Sequence, residues 1–292
     1  MTDWLTWEGI RALADVEALN LGPHLVLVQS DPRRPVIKWS HQYHWAKHAR
    51  KATVCAGSIV YARAAWRAPW RQQMREQIQQ PVVLVTTFYD PTIKPAAVAE
   101  MFPGPIRHWF GVQCAATHPQ LTAMPVGIEG SMVPQIQAGE RRETRDTLLY
   151  LNFQVRSSER ATLWTHFAPK PWVTAERWAN TGATSYIRAL GNSKFVLSPP
   201  GFGWDCYRTY EALAMGAIPI VLRRHPNSDV CLNLPVLMVD DWAEVTKERL
   251  ESEWRSRRPM ETTTLTLTYW RERILRVSRA TRGRGGEECT SE

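Results

Sequence analysis

The chain has 292 residues, 44% of them hydrophobic and 22% charged, an ordinary globular composition with length enough for two medium α/β domains. No run approaches the roughly 18 uncharged apolar residues of a membrane-spanning helix, and the start MTDWLTWEGIRALADVEALN lacks a basic segment followed by an apolar one, so a cytoplasmic protein without a targeting peptide is expected. The formal charge is +8, and nine arginines between Arg255 and Arg284, set against Glu261 and Glu272, supply +7 of it.

That basic stretch reads either as a solvated helix face with a loose tail or as an electrostatic footprint for a polyanion such as duplex DNA. Cys55, Cys114, Cys206, Cys231 and Cys289 are widely spaced with no C-x-x-C, which suggests neither a disulfide framework nor a zinc site and fits a reducing compartment.

Along the chain, TWEGIRALADVEAL places Ile10, Leu13, Val16 and Leu19 at helical spacing, and HLVLVQS reads as a short buried strand. TVCAGSIVY is a strand candidate, WRQQMREQI a helix, and PVVLVTTFYD a strand closed by Asp90-Pro91, where proline stops both kinds of element. AVAEMF then reads as a short helix and IRHWFGVQ as a strand, before the loop THPQLTAMPVGIEG. The charged stretch QAGERRETRD, poor in apolar residues, is the best linker and marks the expected domain boundary. Beyond it come the strand TLLYLNF, the helix SERATLWTHF, a helix-to-strand run SYIRALGNSKFVLSPPG, the helix CYRTYEALAMG, the strands AIPIVL and PVLMVDDW, and a helix from Trp242 to Trp254. TTTLTLTYWRERILRVSR begins extended and becomes a terminal helix, and GRGGEECTSE has the composition of a disordered tail. Alternating helices and strands predict parallel sheets covered on both faces.

One segment concentrates the chemistry. A strand ending in S-P-P-G, then G-x-D-x-x-R-x-x-E opening a helix, puts its polar groups at the carboxyl edge of a sheet, where open α/β sheets bind ligands. Pro199 and Pro200 stiffen the turn, and Gly201 and Gly203 let backbone approach an anion. The helix from Cys206 points its positive end the same way. Arg208 and Glu211, three residues apart, share a helix face. The guanidinium suits phosphate oxygens, and the carboxylate suits vicinal hydroxyls such as those of ribose. The alternative is an ordinary crossover whose Arg208 and Glu211 form a surface ion pair.

The runs S-K-F-V-L-S-P-P-G, D-C-Y-R-T-Y-E-A-L-A-M-G-A-I-P-I-V and L-P-V-L-M-V-D-D-W, in that order, resemble the C-terminal half of exostosin-like glycosyltransferases. VLVTTFYD, IRHWFGVQCAATHPQLTAMPVGIEGSM and LLYLNF are similar, more weakly, to an acceptor-domain loop, a histidine-proline loop and the interdomain strand of that family. The resemblance implies two Rossmann-like domains facing each other across a cleft (GT-B). It further implies inversion at the anomeric carbon, a nucleoside-diphosphate-sugar donor as co-substrate, and no metal. On that reading residues 1–140 form the acceptor domain and 146–258 the donor domain. A linker and helix (259–280), free to return to the first domain, precede a disordered tail (281–292). Donor contacts fall to Ser198, Pro200, Gly201, Phe202, Gly203, Asp205, Arg208 and Glu211. Relatives often carry Asn in place of Phe202 and His in place of Tyr207, a departure that bears on donor identity, and Phe202 and Trp204 are able to stack on a base or sugar.

Inverting transfer needs a base for the acceptor hydroxyl. Asp90, just past a buried strand, is the first candidate and His118 in the THPQ loop the second, with Glu129 a third. Each has a plainer reading, such as an Asx turn before Pro91 or a loop-capping histidine. His41, His44 and His48 share a face if SHQYHWAKHAR is helical, but no fourth ligand completes a zinc site. Trp66, Trp70 and Trp109 in the acceptor domain suit core packing more than stacking on ligand. The expected function is transfer of a hexose from a uridine-diphosphate sugar to a hydroxyl. The acceptor would be a surface-glycan precursor or a hydroxylated base such as hydroxymethylpyrimidine in DNA. The alternative is a non-catalytic nucleic-acid- or glycan-binding protein on the same fold.

Overall fold

A computed structural model describes residues 2–21, 24–31, 51–63, 68–87, 92–102, 104–201, 203–223, 228–231, 233–257 and 261–283. They fall into two compact units, Leu5–Val126 with Thr266–Glu292, and Met1–Trp4 with Gly127–Leu265. In chain order the first contains α1 (Trp7–Arg11), β1 (Val16–Leu21), β2 (His24–Gln29), β3 (Ile59–Arg63), α2 (Ala68–Gln77), β4 (Val82–Thr87), α3 (Pro95–Met101), β5 (Ile106–Gly111) and β6 (Leu121–Ala123). The second contains α4 (Val133–Ala138), β7 (Thr147–Leu151), α5 (Ser158–Phe167), β8 (Val173–Ala175), α6 (Ala183–Asn192), β9 (Ser193–Leu197), α7 (Tyr207–Ala214), β10 (Ile218–Leu222), α8 (Ser228–Cys231), β11 (Leu237–Val239) and α9 (Lys247–Ser256). The last described element is α10 (Leu267–Arg282), which belongs to the first unit; the expected disordered tail from residue 284 on lies outside the described residues.

The first unit is a six-stranded sheet in the order β2-β1-β3-β4-β5-β6. All pairings are parallel except β1 with β2. On one face Met74, Ile78, Ala97, Val98, Met101 and Phe102 from α2, α3 and their ends pack over Val60, Leu84 and Trp109. On the other, Ile10, Trp270 and Ile274 from α1 and α10 cover Tyr61, Val83, Val85 and Phe110. The six residues of β4 are all buried, as a strand covered on both faces requires. Ser278 of α10 donates to the Gly57 carbonyl at 2.7 Å, fastening the terminal helix to this sheet.

The helix expected through Leu19 is corrected. It stops at Arg11, and Val16–Leu21 is a strand. Val16-Glu17-Ala18 alternates with a period of two, while Val16 and Leu19 also fit helical spacing. Val16 and Ala18 enter one core cluster, while Glu17 faces away into a buried ion pair with Arg11 at 2.9 Å. Asp15 settles the matter by accepting the Ile59 amide at 2.8 Å, which aligns β1 beside β3.

The second unit is a five-stranded, wholly parallel sheet in the order β11-β10-β9-β7-β8. Its core holds Leu149, Leu151, Phe153, Leu163, Phe167, Phe195, Leu197, Ile220 and Val239. The charged stretch ahead of β7 lies inside this unit. Arg145 within it is buried and donates to the carbonyls of Leu190 (3.1 Å), Ser193 (2.7 Å) and Met215 (2.9 Å). Gly216 has φ +78°, and a Cβ there would lie 2.6 Å from Arg145 Nη2, so both its backbone and its lack of a side chain serve this junction.

Candidate functional site

From β7 the chain moves outward to β8, returns to the other side of β7 as β9, and continues away through β10 to β11. Strand order therefore reverses between β7 and β9, and the space outside their carboxyl ends is the topological switch point, where such sheets hold ligands. Two segments lead into it: Asn152 and Phe153 after β7, and Ser198 to Gly203 after β9, which runs on to α7.

The Pro-Gly turn is held from behind. Arg160, on α5, is 8% exposed and donates to Pro200 O (2.7 Å), Pro199 O (3.2 Å) and Gln154 O (3.0 Å). Burial and the neighbouring Arg208 pull its guanidinium down to about 10, so it stays charged at neutral pH. A Cβ on Gly201 would sit 3.0 Å from Arg160 Nη2 and 3.3 Å from Cys206 Sγ. The Gly201 amide donates to Gly203 O at 2.9 Å; it is used in closing the turn rather than presented outward. Buried Ser198 bonds Thr209 Oγ1 at 2.9 Å and ties β9 to α7. Asp205 accepts from Tyr210 Oη at 2.7 Å. Cys206 is the extended N-cap residue of α7 and makes no side-chain cap bond.

Arg208 stands in the first turn of α7. Its Nε donates to Asn152 O at 2.7 Å, and its guanidinium lies 5.5 Å from the Phe153 ring centre, which Arg160 also approaches at 5.6 Å. Its Nη1 is buried and has no hydrogen-bond partner among the described residues. One turn on, Glu211 is 4% exposed and accepts from Tyr186 Oη at 2.8 Å and from the Glu129 backbone amide. Desolvation lifts its carboxyl to about 7, the Tyr186 bond and Arg208 oppose the rise, and the Glu129 charge adds to it. Burial also pushes the Cys206 thiol up. At this edge the guanidiniums of Arg160 and Arg208 stand with the carboxyls of Asp205, Glu129 and Glu211, the last holding only part of a charge at neutral pH. Arg160 is spent on the turn, which leaves Arg208 as the cation suited to an anion.

Of the expected donor residues the structure gathers Ser198, Pro200, Gly201, Gly203, Asp205, Arg208 and Glu211 at one sheet edge; Phe202 lies outside the described residues. Glu129, the third base candidate, joins Glu211 there. Asp90, His41, His44, His48 and Trp66 also lie outside the described residues. His118 belongs to the other unit, where its ring stacks on Phe102 at 4.4 Å and its Nδ1 accepts from the Gln120 amide at 3.1 Å. Trp70 and Trp109 are buried in that unit's cores. Sequence reasoning missed Asn152, Tyr186, Tyr150 and Arg160. Asn152 had a usable signal, being the first polar residue past a buried strand, as Ser198 is. Among the described residues no group of three or more His, Cys, Asp or Glu is placed to hold a metal ion.

A parallel sheet with this edge is a Rossmann-like unit, of the fold class that receives nucleotides at its switch point. The RXYLT1 C-terminal domain family model matches residues 141–272, the stretch containing Asn152, Arg160, Tyr186, Arg208 and Glu211 but not Glu129. Over 55 residues the chain is 42% identical to ribitol-5-phosphate xylosyltransferase 1 of Mus musculus, 17% of this chain and 12% of that protein. The chain therefore covers a small share of the relative's length, and the relationship it records is to a glycosyltransferase.

Proposed function

We propose that this chain is a glycosyltransferase of the GT-B kind, resembling the exostosin-like enzymes, which binds a nucleoside-diphosphate sugar at the β7–β9 edge and transfers the sugar to an acceptor hydroxyl. The observation that carries the reading is Arg208, a guanidinium at the start of a helix, with an unpartnered N–H at a switch point. Such a group neutralises the diphosphate as it departs, and the helix N-terminus adds its own partial charge. The acceptor is deprotonated by a base of the other unit, Asp90 first and His118 second, and attack from the opposite face inverts the anomeric carbon without a metal.

The relative's name pairs a pentose with a phosphorylated polyol, so UDP-xylose stands beside UDP-hexoses as donor, and the acceptor proposed is a polyol phosphate or glycan precursor. Exposed Arg271, Arg276, Arg279 and Arg282 on α10 suit such an anionic acceptor. The test is thermal stabilisation of the full chain by UDP, UDP-xylose, UDP-glucose and GDP-mannose, since a ligand that binds the folded state raises apparent stability by mass action. At least one UDP ligand is expected to stabilise the wild type, and Arg208→Ala to abolish the effect. Stabilisation that survives in Arg208→Ala would remove the site from the proposal.

A further inference from the structure

Asn152 is completely buried, immediately past β7. Its Nδ2 donates to Tyr150 Oη at 3.0 Å and to Thr181 Oγ1 at 3.1 Å. Neither neighbour has a proton to return. Tyr150 spends its own on Glu176 Oε2 at 2.7 Å, and Thr181 spends its own on the Arg177 carbonyl at 2.9 Å. Rotating the amide by half a turn would put Oδ1 against two acceptors, so the orientation is fixed by proton count. Oδ1 is then a buried acceptor with no donor among the described residues.

The same holds in mirror form for Arg208 Nη1, a buried donor with no acceptor. The two residues are joined through the 2.7 Å bond from Arg208 Nε to the Asn152 backbone carbonyl. An unsatisfied buried polar atom is expensive, and two of opposite kind on hydrogen-bonded residues at a sheet's switch point call for a ligand that carries both complements. A phosphate oxygen completes Nη1. An anion alone cannot complete Oδ1, which needs an O–H or N–H.

We propose that Asn152 is a specificity-determining residue of the site: its fixed Oδ1 accepts a hydrogen bond from a hydroxyl of the bound sugar nucleotide while Arg208 Nη1 takes a phosphate oxygen of the same ligand. The inference rests on the donor-site reading above and adds to it a requirement for a hydroxyl near the diphosphate, supplied by the nucleoside ribose or by the transferred sugar. Inorganic pyrophosphate, which supplies only acceptors, gains nothing from Asn152.

The experiment is calorimetric titration of the full chain, wild type and Asn152→Leu, with pyrophosphate, UDP and UDP-xylose. The expected result is pyrophosphate affinity equal in both, and a loss of about tenfold or more in Asn152→Leu for a ligand bearing the hydroxyl, as removal of a buried partner predicts. Loss already seen with UDP assigns the hydroxyl to ribose; loss confined to UDP-xylose assigns it to the sugar. Asn152→Ser, smaller and polar, is expected to lose the same amount and serves if the leucine variant fails to fold. Wild-type affinity for UDP and UDP-xylose in both variants overturns the inference and leaves the donor site standing. A wild type that binds none of the three ligands overturns both.

Discussion

The two edges of the second sheet each hold an arginine, Arg145 buried and Arg208 half-buried, and the two guanidiniums are used differently. At the amino edge Arg145 spends its N–H groups on three carbonyls, those of Leu190, Ser193 and Met215. Burial, with Arg257 and Arg141 nearby, pulls it down to about 10, yet it stays ionised at neutral pH. At the carboxyl edge Arg208 reaches the Asn152 carbonyl and has no partner for Nη1 among the described residues. A buried donor left unmet is costly, so the contrast separates an arginine that holds the fold from one proposed to await a ligand.

The comparison breaks most visibly under substitution. Arg145→Met removes the donor for three carbonyls at the start of β9 and before β10. The expected cost is about 3–5 kcal/mol, given roughly 1–3 kcal/mol for each buried group left unmet and some relaxation. That is a large share of a typical domain's stability, and urea denaturation of the full chain should show it as a lowered midpoint. An unchanged midpoint would mean that the clamp is ornamental.

Arg208→Gln sharpens the same contrast. One carbonyl loses its donor, but the unmet buried Nη1 is removed with it and offsets part of the cost, so stability should move by only about 1 kcal/mol. Affinity for UDP should nevertheless fall by about 100-fold or more, because a charge-assisted contact to phosphate is lost. A variant as unstable as Arg145→Met would show that Arg208 also belongs to the frame.

The two edges also differ in how far the sequence discloses them. Arg208 and Glu211 are legible because they sit three apart on one helix behind a glycine turn, a local spacing with a local meaning. The strands β4, β7, β9 and β10 are legible as short apolar runs between breakers. Arg145 is not, because a guanidinium that clamps carbonyls from residues 45 to 70 positions away looks, in sequence, like any charge in a linker. Arg160 is hidden for the same reason. Asn152 and Tyr186 gain their meaning from partners brought by other elements, and β6 and β8 are three residues long, too short for a period to register. In β1 the period was ambiguous, and the Asp15 bond to Ile59 decided it.

Glu211 gives the comparison its pH dependence. No acid partners the Arg145 clamp in its hydrogen bonding, whereas the carboxyl edge buries Glu211 at about 7, against an ordinary 4.5. The folded chain therefore holds a proton between those two values that the unfolded chain has lost. Stability contributed by that proton is full below about pH 4.5, falls as pH rises toward 7, and is gone above it. The slope integrates to at most roughly 3 kcal/mol at 1.36 kcal/mol per unit. Removing the proton also completes a negative charge beside Arg208, so UDP affinity should weaken over the upper part of the same range. Glu211→Gln keeps an acceptor for Tyr186 and cannot ionise; its urea midpoint is expected to vary less between pH 5 and 8 than the wild type's, and its UDP affinity to lose the decline near pH 7. Equal slopes in the two proteins would assign the titration to another group and leave Glu211 an ordinary buried acid.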